Sequence, residues 1–240
     1  MGGYGYNIDF CFVVDTSYDM APILEHVKAR IKELLLRLKI EADNVKHIKQ
    51  LRCSLVTFTD FAVDGDQAIC SSDFFDVTEG GEAFQRAVDT MIQPNRSRGG
   101  DCRHNALEAL FIAMNQDWTP LSMYQNGRHY IVLITNAPPL PLGARDGFIG
   151  YDKDDYPENI AELEEIWKER EAAQGAMKST PLNSKKKYMM LYAPTCPDWD
   201  AVRRWVDTLS YVVDTNHNGI DMTLLDDTIS ELCRWDDVPD

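Results

Sequence analysis

Long apolar runs, basic residues and patterned cysteines are all scarce in this 240-residue chain. No stretch approaches the roughly 20 apolar residues that a membrane-spanning helix needs. Lys and Arg total 24 against 39 Asp and Glu, a formal net charge of −15. A field of that sign repels phosphate backbones and anionic lipid, which argues against nucleic acid and membrane as partners. The six cysteines, at 11, 53, 70, 102, 196 and 233, form no CxxC pair. They outline no disulfide framework and fit a reducing, cytoplasmic compartment. The Met1–Tyr6 stretch has neither a basic segment nor a long apolar one, so no signal peptide is expected.

Enzyme signatures are absent too. The chain has no GxGxxG turn, no GxxxxGK[ST] phosphate loop and no GxSxG elbow. Its five histidines (His26, His47, His104, His129, His217) show no zinc spacing. No nucleophile is visibly placed beside a base, so a non-catalytic protein is expected.

What is present is an alternation of strand and helix signals. Strands are expected at 7–14, 51–59, 130–135, 188–192 and 211–213, with a short edge strand at 67–71. Helices are expected at 21–38, 81–92, 103–116, 158–173, 199–207 and 222–235. In the helix at 21–38, Ile23, Val27, Ile31, Leu34, Leu35 and Leu38 recur at helical spacing. This order predicts an α/β fold, doubly wound, with a mostly parallel central sheet and helices on both faces. No internal repeat or long linker divides the chain, so residues 1–240 read as a single domain. Residues 174–187 read as a surface loop.

Open sheets of this type bind ligands beyond the carboxyl ends of their strands. Three segments there carry hard oxygen donors: Asp15-Thr-Ser17-Tyr-Asp19, Arg98-Gly-Gly-Asp101 and Thr135-Asn136-Ala137. Oxygens from Asp15, Ser17, Asp19, Asp101 and Asn136 could surround one divalent cation, with Mg²⁺ expected first and Mn²⁺ or Ca²⁺ as alternatives.

The three segments resemble the von Willebrand factor A domain and its metal-ion-dependent adhesion site. That family's first loop reads Asp-x-Ser-x-Ser-Met; Asp15, Ser17 and Met20 match, and Asp19 replaces the second Ser. A large intracellular branch, mainly bacterial, carries Gly-Gly-Gly-Asp-x-Pro-Glu and then Leu-Glu-Ala-Leu. Gly99, Gly100, Asp101 and Leu107–Leu110 match, while Arg103 and His104 replace Pro and Glu. Asn136 stands where the third loop usually has Asp. The carboxylate lost at 136 is offset by the one gained at Asp19.

The resemblance implies a protein–protein interaction module in a larger assembly, whose partner completes the metal's coordination with an acidic side chain. Three local carboxylates would weaken that capture. Two alternatives stay open: a structural module with a decayed site, and a metal-dependent hydrolase using Asp19 or His104 as base. Plainer readings also apply. Asp15 can be a turn residue, Asp101 a helix N-cap and His104 a surface residue; Asp60, ending the second strand, could instead serve the metal site as an outer-shell acceptor. Asp214-Thr-Asn-His-Asn-Gly219 matches the start of a calcium loop but has Leu225 where Glu is needed. The acidic run 152–155 and Lys185–Lys187 read as solvated.

Overall fold

The apolar stretch after Asn7 becomes the centre of the sheet. In the computed structural model, residues 6–44, 48–78, 80–94, 103–120, 126–144, 156–169 and 187–213 are described. β1 (Tyr6–Asp15) lies between β2 (Ile48–Phe58) and β5 (Asn126–Ile134), parallel to both. β6 (Lys187–Ala193) and β7 (Thr208–Val212) extend the parallel sheet beyond β5. The short β3 (Ile69–Ser71) and β4 (Phe75–Asp76) pair antiparallel with β2. The order is β3-β2-β1-β5-β6-β7, with β4 also on β2. The chain thus winds outward from β1 in both directions, and the β1/β5 junction is the topological switch point.

Side chains alternate across β1 and divide the core into two layers. Phe10, Phe12 and Val14 pack with α1 (Ala21–Asn44) and α3 (Glu82–Met91). Cys11 and Val13 face α4 (Ala106–Met114), α5 (Ile160–Glu169) and α6 (Pro197–Val202). A one-turn helix, α2 (Phe61–Asp64), follows β2 and is capped by the Asp60 side chain. Cys11 and Cys53 are fully buried. Burial pushes the Cys11 thiol up to about 12, against a hydrogen bond from Ser54. These two cysteines therefore serve as small apolar residues rather than nucleophiles. Among the described residues, no helix is long and apolar enough to cross a membrane.

The α/β architecture is the expected one, with local corrections. α4 begins at Ala106 rather than 103, because His104 lies in an extended bridge to Pro139. α6 starts earlier than expected, at Pro197, whose fixed φ suits a first helical turn. It ends before a turn through Asp207 at φ 59, which leads into β7. Lys187 is not solvated: it opens β6 and is 2% exposed. Strand alternation puts it on the same side as Met189 and Leu191, against the Trp167 ring at 4.8 Å. The expected helix 222–235, the 152–155 run, Lys185, Lys186 and the Asp214–Gly219 loop lie outside the described residues.

Candidate metal centre

Asp15 is the last residue of β1, and the alternation that turns Cys11 and Val13 toward α4 turns Asp15 the same way. It is fully buried. Three donors hold its carboxylate. Ser17 N–H donates to Oδ1 at 2.9 Å, the Thr135 hydroxyl to Oδ2 at 2.6 Å, and His104 Nδ1 to Oδ2 at 2.7 Å. Thr135 directly follows β5, so both central strands of the switch point contribute.

Backbone bonds stitch the surrounding loops together. Thr16 N–H donates to the Phe58 carbonyl, and Thr135 N–H to that of Tyr192. Asn136 Nδ2 donates to the Asp19 carbonyl at 3.1 Å, joining the first and third loops. The indole of Trp199 donates to the Ala137 carbonyl at 2.9 Å. His104 is fixed through its backbone: its N–H donates to Pro138 and its carbonyl accepts from Leu140.

The expected site residues fall as follows. Asp15, Ser17 and Asn136 come together at the end of β1. Asp19 joins them through its backbone carbonyl, while its side chain lies in an exposed residue. Asp101 lies outside the described residues. His104, read from sequence as a surface residue, is buried on Asp15; its side chain is 6% exposed. Thr135 is a site residue that sequence reasoning passed over. Its strand-end position opposite Asp15 was the available signal. Asp60 is buried as a helix cap and acts on His104 through its charge. Burial pulls the His104 pKa down, but the hydrogen bond and charge of Asp15, then the charges of Asp60 and Asp19, outweigh it. The net shift is upward.

The fit to a cation rests on orphaned oxygens. Among the described residues, Ser17 Oγ and Asn136 Oδ1 are buried with no hydrogen-bond partner, a condition that costs about 1–3 kcal/mol per group. These two oxygens and Asp15 Oδ1 lie on loops bonded to one another, through Ser17 N–H to Asp15 and Asn136 Nδ2 to the Asp19 carbonyl, and are hard donors of the kind Mg²⁺ or Mn²⁺ takes. Among the described residues, no three His, Cys, Asp or Glu side chains are grouped to hold a metal. This donor set therefore depends on hydroxyl and amide oxygens around a single carboxylate.

No protein-family model matches the chain, and no curated protein matches it in sequence. Solved structures do. Two crystal structures of the pilus adhesin SpaC from Lactobacillus rhamnosus GG, one in an open conformation, cover 97% of this chain at TM-scores of 0.53 and 0.54. Their identities to it are 11% and 10%. The likeness is one of fold. This chain covers 32% and 31% of the adhesin, so it spans about a third of that protein's length. The VWA domain of SpRpn10 is a looser match, with TM-score 0.44 and 12% identity, covering 86% of this chain and 88% of that domain.

Proposed function

We propose that this chain is a non-catalytic protein–protein interaction module that presents a divalent cation, Mg²⁺ first, at the carboxyl edge of its sheet. The reading places it as a cytoplasmic von Willebrand A-like domain of the intracellular bacterial type, with a variant adhesion site. Asp15, Ser17 and Asn136 would hold the ion, and Asp19 and Asp101 would complete its surroundings. When bound, the ion supplies a positive centre for an acidic side chain of the partner.

One observation carries this reading: two buried oxygens without a partner among the described residues, Ser17 Oγ and Asn136 Oδ1, on the loops around a buried carboxylate. Other buried polar atoms, Asn7 Oδ1 and Thr208 Oγ1 among them, also lack a partner among the described residues; the support comes from Ser17 and Asn136 lying on the two loops bonded together beside Asp15. The rest of the site supplies support and orientation. Thr135 and the Ser17 amide fix the Asp15 carboxylate, and the Asn136–Asp19 bond fixes the rim. A second reading, a decayed site, is favoured by His104, which already satisfies part of Asp15.

Affinity capture of partners by the immobilised chain, with and without chelator, separates the two. The module reading expects capture that is lost both on chelation and in Ser17→Ala. Capture indifferent to both changes supports the decayed site.

A further inference from the structure

The bond between His104 and Asp15 has a consequence for affinity, and the inference rests on the cation reading above. A carboxylate oxygen offers about two acceptor positions. Asp15 Oδ2 already receives two donors, Thr135 Oγ1 at 2.6 Å and His104 Nδ1 at 2.7 Å. Oδ1 receives one, the Ser17 amide. Counting the donors among the described residues, a single acceptor position on Asp15 is left for an ion.

Orientation of Asp15 does not need His104. Ser17 N–H and Thr135 Oγ1 already pin one oxygen each, from β1's own loop and from the end of β5. What the imidazole adds is competition, because its N–H draws on the electron density a cation would use. The backbone that carries the ring is held in place. Its backbone is bonded on both sides to the third loop, at Pro138 and Leu140. The next residue, Asn105, is bonded to Thr59 through its N–H and accepts from Phe61 N–H through Oδ1 at 2.7 Å.

We infer that His104 throttles the site: by occupying Asp15 it weakens divalent-cation binding and so sets the metal concentration at which the module engages. Here the imidazole acts as a rival of the ion rather than as its ligand.

The test is a titration of the full chain with Mn²⁺ alone, with free Mn²⁺ read by electron paramagnetic resonance. His104→Ala should bind Mn²⁺ about tenfold tighter than the parent, the scale of one charge-assisted hydrogen bond. His104→Asn puts an amide N–H near the position of Nδ1 and should return the affinity to the parental value. Circular dichroism checks that each variant is folded; His104→Leu, which fills the space without a donor, replaces His104→Ala if that variant does not fold. Unchanged or weaker binding in the donor-free variant, or tightening in His104→Asn as well, overturns the throttle and leaves the cation reading standing. Binding that appears only in the donor-free variant supports it. No Mn²⁺ binding by any form removes the cation reading and the throttle together.

Discussion

Asp9, three residues into β1, and Asp15, its last residue, lie on the same side of the sheet, and each ties down one end of the α4 segment. Asp15 accepts from His104, just before α4. Asp9 accepts from Thr119, beyond its other end, through N–H at 2.6 Å and hydroxyl at 3.1 Å. Asp9 also takes a two-pronged bond from Arg52 on β2, at 3.0 and 2.7 Å. Strand alternation alone puts both carboxylates under α4, and Arg52, His129 and Thr135 on that face with them. Both Asp9 oxygens are filled by Arg52 and Thr119, while Asp15 Oδ1 receives a single donor among the described residues. Each carboxylate has a buried oxygen without a partner among the described residues two positions away in the chain, Asn7 Oδ1 and Ser17 Oγ. The lower carboxylate is the fully bonded one, and the upper keeps an open acceptor position.

The lower cluster therefore governs stability. Asp9→Asn removes the charge that balances the Arg52 guanidinium, whose side chain is only 17% exposed and keeps the Asp117 carbonyl and the Phe74 ring as neighbours. Urea denaturation should show a loss of about 3 kcal/mol, as for breaking a buried pair from one side. Replacing both partners, as Asp9→Leu with Arg52→Met, should cost less than the single change. A single variant as stable as the parent would show that the pair carries no such weight.

The His104–Asp15 bond makes stability depend on pH in chelator-treated protein. The His104 pKa is raised above its ordinary 6.5 in the fold, so the native state holds the proton more tightly than the unfolded chain. The contribution is fully present below about pH 6.5 and is lost as pH rises through the folded value. His104→Asn should lack this decline. Parallel pH–stability curves for the two proteins would contradict the assignment.

Lys187 has the opposite sign. Burial lowers its pKa from 10.5 to about 8, against the upward pull of Asp207. The unfolded chain then binds the proton between those values when the native state does not. Stability from this group is greatest above 10.5 and falls as pH drops through 8. Lys187→Met should remove that dependence and stabilise the protein near pH 7 by on the order of 1–2 kcal/mol. A destabilised Met variant would mean that the Trp167 contact outweighs the cost of burying the charge.

Much of the architecture was legible because its signals are local. The apolar run of β1 and the helical spacing in α1 each lie within one window, and both elements appear where expected. Thr135 could have been read from its strand-end position opposite Asp15. His104 could not, since its partner is 89 positions away in the chain and a histidine just ahead of a helix looks solvated. Lys187 was misread because three consecutive lysines suggest a turn. Only the strand's earlier start, which aligns it with Met189 and Leu191, buries it. Loop-to-loop convergence at Asp15 depends on tertiary contacts that no periodicity encodes.

The most direct test of the whole account is isothermal titration of the chain with MgCl₂ and MnCl₂, paired with thermal unfolding. The account predicts one binding site, and stabilisation of about 2.7 kcal/mol at a hundredfold excess over Kd. Ser17→Ala should abolish both signals. Absence of heat and of any thermal shift at millimolar metal, in the parent chain and in the donor-free His104 variant alike, would contradict it.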